Sequence, residues 1–141
     1  MCFTYPKNLK YECNKCALCC GNTKDKTRHI LILENEAEEI QKQTNININN
    51  FCSKITNQQP YMFEMEKQQD GKCFFLKQNA CSIYSFRPLI CRFYPFELKY
   101  DETQQKYVFT ATAECPAINH GKRLTQMYFK TLFWLAEEKM L

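Results

Sequence analysis

Within eight residues, Cys13-Asn14-Lys15-Cys16-Ala17-Leu18-Cys19-Cys20, the chain carries four thiols, and Gly21 follows as the backbone turns away. Two residues between cysteines curl the backbone enough to aim both sulfurs at one centre, so each C-x-x-C is a bite for a metal. The adjacent pair Cys19-Cys20 is different. Neighbouring Cα atoms lie about 3.8 Å apart and their side chains diverge, so one of the two is expected to point away from the centre that Cys13 and Cys16 would serve.

Ten cysteines among 141 residues, at positions 2, 13, 16, 19, 20, 52, 73, 81, 91 and 115, are a large excess for a globular chain. Disulfides would account for them in an oxidising compartment, but residues 1–7 hold no apolar h-region and no small-residue cleavage site. The expectation is a reduced, cytoplasmic setting in which clustered thiols bind metal. At this length a single domain over residues 1–141 is expected. The formal charge of +4 is a poor argument for nucleic acid. Eight metal-bound thiolates would add about eight negative charges and two cubane clusters would return about +2 each, bringing the net charge near zero. No apolar run approaches the roughly 20 residues that span a bilayer, so no membrane segment is expected.

Residues 1–12 read as an extended lead-in. Residues 28–33 form a short β-prone run that reads as a strand containing a partly buried His29. A helix follows, with Asn35 as cap, Glu38 completing a capping box, and Ala37 and Ile40 on its apolar spacing. The Asn- and Gln-rich residues 44–59 suit either a second short helix or an irregular crossing. Residues 61–66 turn back at Asp70-Gly71 into residues 72–76 as a first hairpin. A second hairpin pairs Phe96, Leu98 and Tyr100 with Tyr107, Phe109 and Ala111 across a polar loop, its apolar face covering the site. Pro88 suits the first turn of a short helix that aims Cys91 inward beside Cys81. His120 reads as a loop residue, and Cys2 and Cys52 as spare thiols, Cys52 a small buried one. Residues 122–141 form a helix whose wide apolar arc either docks in the core or meets another subunit, which makes a homo-oligomer through this helix one expectation. The fold class expected is α+β: a small domain of two short hairpins and several helices folded around cysteine-ligated metal sites.

The later cysteines stand in two further blocks. These are Gly71-Lys72-Cys73-Phe74-Phe75-Leu76 and the stretch from Cys81-Ser82-Ile83-Tyr84 through Arg87-Pro88 and Cys91-Arg92 to Pro95, with Cys115-Pro116 beyond. The order of a four-thiol opening, G-x-C-x-F-L, C-x-I-Y-x-x-R-P-x-x-C-R-x-x-P and a final Cys-Pro resembles the zinc- or iron-chelating CxxCxxCC proteins, also called YkgJ-type cysteine-cluster proteins. Eight cysteines fall in that pattern: Cys13, Cys16, Cys19, Cys20, Cys73, Cys81, Cys91 and Cys115. A cubane 4Fe-4S cluster and a structural zinc each take four thiolates, so eight suit two sites of either kind. Ferredoxin usage, in which C-x2-C-x2-C and a distant Cys-Pro serve clusters, favours iron-sulfur, and His29 and His120 lack a zinc-site context. The expected grouping is Cys13, Cys16 and Cys19 with one distant thiol, and Cys20 with the other three. Arg87 and Arg92, flanking Cys91, are candidate cofactor-binding residues that offset thiolate charge, or else surface ion-pair partners.

These observations frame the functional expectation. A metal-binding protein carrying one or two cubane iron-sulfur clusters would transfer electrons or support a partner enzyme; the alternative is a zinc-stapled interaction module. Flagellin lysine N-methylases are similar through the same cysteine pattern. The resemblance thus implies a relation to methyl transfer, although Gly21, Gly71 and Gly121 make no glycine-rich loop for S-adenosylmethionine. No His, Asp or Asn arrangement beside a thiol marks a general base, so the metal-site cysteines are the only candidates for catalysis.

Overall fold

The computed structural model describes residues 3–13, 17, 19–24, 26–112 and 115–140. In chain order the strands and helices are β1 (Phe3–Thr4), β2 (Lys10–Tyr11), β3 (Leu31–Ile32), α1 (Glu34–Thr44), α2 (Ile48–Phe51), β4 (Cys52–Lys54), β5 (Phe63–Met65), β6 (Leu76–Lys77) and β7 (Ala80–Cys81). A 3-10 turn, Tyr84–Phe86, precedes α3 (Leu89–Phe93), β8 (Phe96–Asp101), β9 (Lys106–Ala111), β10 (Ile118–Arg123) and α4 (Gln126–Met140). The class is α+β, with two sheets of three strands, β1-β9-β8 and β3-β5-β4, and two paired ribbons, β10-β2 and β6-β7. Among the described residues no helix is long and apolar enough to cross a membrane.

Two cores form. In the first, β3-β5-β4 lies under α1 and α2, with Ile32, Ala37, Ile40, Phe51 and Met65 buried together with Cys73, Phe75 and Ile83. In the second, the β8–β9 hairpin packs on α4 around Phe129, whose ring lies 5.0 Å from Tyr5, 5.0 Å from Phe96 and 5.1 Å from Phe109. Burying one such ring removes apolar surface worth about 2–3 kcal/mol. Helix α3 joins the two, because Leu89 and Phe93 sit in the second core while Ile90 and Cys91 pack on the first. Glu36 reinforces the joint: buried at 5% exposure, its Oε1 accepts from the Leu33 N–H (3.1 Å) and its Oε2 from the Leu89 N–H (2.5 Å) and Lys139 Nζ (3.3 Å).

The second hairpin has the expected register, Phe96 opposite Ala111, Leu98 opposite Phe109 and Tyr100 opposite Tyr107. Its apolar face covers the α4 core, however, and contributes nothing to the cysteine cavity. The first hairpin is altered. Asp70-Gly71 does turn the chain, with Gly71 at φ +84 and Asp70 Oδ1 accepting from the Lys72 N–H at 3.0 Å. Both edges of β5 are already taken by β3 and β4, so only a bridge between Lys67 and Cys73 survives. An unforeseen hairpin, β6–β7, uses Gln78-Asn79 as a two-residue turn with φ +48 and +62.

Other expectations shift for tertiary reasons. The strand in residues 28–33 shrinks to β3, because Leu33 becomes the cap of α1. Glu36, not Glu38, reaches back to the cap, so the Asn35–Glu38 box does not form. His29 lies outside the strand and is exposed, its Nδ1 2.9 Å from Glu64 Oε2. Residues 44–59 contain both the short helix α2, capped by Asn47, and the strand β4. Ile118 and Arg123 pair with β2 on either side of a bulge that contains His120, whose N–H bonds Ala117 O at 3.1 Å, and α4 starts only at Gln126. The lead-in is extended as expected and packs on the second core, β1 parallel to β9 and β2 antiparallel to β10.

Candidate metal centre

One cavity of about 130 Å³ is lined by Cys13, Cys19, Cys20, Cys73, Cys81, Cys91 and Cys115. All seven belong to the eight-cysteine pattern; the eighth, Cys16, lies outside the described residues, as does Cys2. Cys52 is apart from the cavity, buried in β4 with its Sγ donating to Ile48 O at 3.4 Å, and burial pushes its thiol up to about 11. None of the eight described cysteines is in a disulfide.

Local backbone chemistry delivers each sulfur. Ala17, at φ +68, turns the chain so that the Cys20 N–H bonds Ala17 O at 3.0 Å. Gly21, at φ +123, then crosses directly over Lys72. A Cβ there would lie 2.6 Å from Gly71 O and 2.6 Å from Lys72 Cα, so only glycine lets the two segments touch. That contact is held by Asn22 N–H to Gly71 O (2.9 Å), Cys73 N–H to Cys20 O (2.8 Å) and Lys72 Nζ to Asn22 O (2.8 Å). The β6–β7 turn places Cys81 opposite Leu76, whose N–H bonds Cys73 O at 3.0 Å. Buried Pro88 is the N-cap of α3 and presents Cys91 two residues into the helix. Pairing of Tyr11 with Ile118 draws Cys13 and Cys115 to the other side.

Electrostatics sort the thiols into two neighbourhoods. Cys19 is lowered to about 7, chiefly because the Cys20 thiol donates to it, with Arg28 and Arg87 adding positive charge against the cost of burial. Cys20, as the donor and a buried group, is pushed up. Burial raises Cys73 to about 11 and Cys91 well above the thiol range, and the charges of Cys19 and Cys81 raise both further. Cys81 is also raised by burial. Cys13 instead acts with Tyr11, Tyr84 and Tyr128: burial raises all three phenols, and hydrogen bonding of Tyr11 and Tyr84 to Cys13 raises those two further. Cys19 and Cys20 therefore interact with each other, and Cys19 lies in the field of Cys73, Cys81 and Cys91; the expected Cys13-Cys16-Cys19 grouping turns on Cys16, outside the described residues.

Arg87 lines the cavity, its guanidinium 4.0 Å over the Tyr84 ring and its Nη1 donating to Tyr84 O at 2.7 Å. Its charge favours the thiolates of Cys19, Cys81 and Cys91, so it serves as counter-charge. Arg92 is placed differently. It lies off the cavity lining and braces the preceding loop, donating from Nε to Arg87 O (3.2 Å) and from Nη2 to Ser85 O (3.0 Å). Arg28 and Tyr11 were not singled out from the sequence. Tyr11 stands two residues before Cys13, a usable clue, whereas Arg28 is brought in only by the fold.

Among the described residues, the cavity lining contains no His, Asp or Glu. Nor, among the described residues, does any group of three or more Cys, His, Asp or Glu side chains stand at metal-holding spacing, the cysteines included. Seven thiols beside the phenols of Tyr11, Tyr84 and Tyr94, the amide of Asn79 and the charge of Arg87, with no carboxylate, fit a thiophilic metal and not a hard cation such as Mg²⁺ or Ca²⁺. The metal's own charge is what would draw mutually repelling thiolates together.

A cysteine-only donor set in a small α+β chain is that of a metal-chelating protein. The chain belongs to the CxxCxxCC family, "Putative zinc- or iron-chelating domain", whose model matches residues 12–116. It is also 30% identical over 101 residues to an uncharacterized protein, MJ0661, of Methanocaldococcus jannaschii, a match covering 67% of this chain and 50% of that one. The chain thus spans about half the length of this relative. No solved structure matches.

Proposed function

We propose that the cavity holds iron as cubane iron-sulfur clusters that carry electrons or support a partner enzyme. The observation that carries this reading is the convergence of seven thiols on one cavity with no His, Asp or Glu among its described lining residues. Eight thiolates would serve two zincs or two cubanes alike, and the C-x2-C-x2-C run with a distant Cys-Pro is what favours cubanes. In this reading four of Cys19, Cys20, Cys73, Cys81 and Cys91 serve one cluster, and the fifth joins Cys13, Cys16 and Cys115 at the second. Arg87 offsets the negative charge of the thiolate-bound clusters. Tyr11 and Tyr84 donate to the Cys13 sulfur, an interaction of the kind that tunes cluster potential.

Protein purified without oxygen is expected to be brown, with broad absorption near about 400 nm and roughly four irons and four sulfides per cluster. Colourless protein with stoichiometric zinc and no acid-labile sulfide would establish the zinc-stapled alternative instead. Cys73→Ala is expected to remove at least half of the metal, and Cys52→Ala to leave metal content unchanged; equal losses in both variants would show that cavity lining does not identify the ligands.

A further inference from the structure

Strand β8 is the edge of the sheet β1-β9-β8, and no described strand pairs with its outer side. It is six residues long, carries no proline, and alternates cleanly, with Glu97, Lys99 and Asp101 on one face and Phe96, Leu98 and Tyr100 on the other. Soluble proteins normally shorten, cover or disrupt such an edge. Beside it runs an apolar groove of about 650 Å³ walled by Phe93, Leu98, Phe133, Ala136 and Met140. An exposed edge next to an apolar groove suits an added strand, whose backbone would satisfy the edge while its side chains enter the groove.

We propose that the added strand is β8 of a second copy of this chain, paired antiparallel about a two-fold axis at Leu98. The charge pattern selects both the occupant and the register. Opposed residues in an antiparallel pair share a face, so the apolar sides match only in registers that centre on a residue. Centred on Leu98, Glu97 of each copy faces Lys99 of the other, and Phe96 faces Tyr100, which is 52% exposed in the single chain. Centred on Glu97 or on Lys99, the same strand sets like charges opposite one another: Glu97 against Glu97 in the first case, Lys99 against Lys99 with Glu97 against Asp101 in the second. Centred on Tyr100, only three residues of each strand overlap. The strand is therefore complementary to itself in one extended register, the signature of an isologous interface. The two copies would form one continuous six-stranded sheet, with the α4 ends closing over the groove from both sides. This inference is independent of which metal the cavity binds.

The test is sedimentation of the metal-loaded full chain over a range of concentrations, with circular dichroism to verify folding. Wild type is expected to dimerise. E97K, which places lysines opposite lysines, and K99E, which places glutamates opposite glutamates, should each weaken dimerisation at least tenfold. An equimolar mixture of E97K and K99E should recover the dimer, because every cross-strand pair is then again of opposite sign. A wild type that stays monomeric at every concentration, as it would if the edge served a different protein, overturns the proposal. So does a single variant that dimerises as well as wild type, or a mixture that fails to recover.

Discussion

Gly21→Ala is expected to take the cysteine cavity apart. The added Cβ would sit 2.6 Å from Gly71 O, 2.6 Å from Lys72 Cα and 2.9 Å from Cys73 N, all backbone atoms that cannot swing aside, at a φ of +123 that L-residues seldom adopt. Relief requires moving residues 20–22 away from residues 71–73, which breaks the Cys73 N–H to Cys20 O bond and separates the two thiols. A cost of about 3 kcal/mol or more follows from combining a forbidden backbone angle with a steric clash. In a chain of this size it should lower the melting temperature on the order of 10 °C. Metal content should fall in parallel. Thermal denaturation and metal analysis of the same preparation check both, and an unchanged melting point with full metal would refute the close approach.

The second large effect is expected at Glu36. Its carboxylate, buried away from any thiol, holds the first residue of α3 through the Leu89 N–H and the end of α4 through Lys139, while closing the start of α1. Glu36→Ala leaves two backbone donors and an ammonium without their acceptor and should cost about 3–5 kcal/mol. Glu36→Gln keeps the shape and some of the acceptor capacity, and should cost roughly half as much. Lys139→Ala, at a side chain 29% exposed, should cost about 1 kcal/mol or less. Urea unfolding gives the ranking. A Lys139 variant as damaging as Glu36→Ala would mean that the ion pair, and not the backbone bonds, carries the junction.

What could be read from the residues was mostly local. Period-two alternation fixed the β8–β9 register, because Phe96, Leu98 and Phe109 must share a face wherever that face ends up. Pro88 marked the start of α3 for a reason confined to its own ring. The cysteine pattern that carries the family resemblance picked out seven residues that the fold gathers into one cavity. What escaped depends on segments distant in sequence. Nothing local at Glu36 announces that its partners are Leu89 and Lys139, and nothing at Arg28 places it beside Cys19. Treating Cys19 and Cys20 as an isolated dipeptide suggested diverging side chains, whereas the Gly21 crossing bends that segment until both thiols border one cavity. The second hairpin was located correctly but assigned to the wrong neighbour, since a face pattern shows that something must be covered and not what covers it.

The pairing of β2 with β10 has a consequence for how the protein is made. Cys13 and Cys115, more than a hundred residues apart, border one cavity where Tyr11 pairs with Ile118. A ribosome adding about 5–20 residues per second needs roughly 5–20 s to travel from the first thiol cluster to the last cysteine. Once they leave the channel, the N-terminal sulfurs have no enclosing wall until β10 arrives, and are open to oxidants and to stray metal alike. A centre built from all of these thiols would therefore close only after residues 115–123 had emerged, and until then the growing chain would have to be kept reduced.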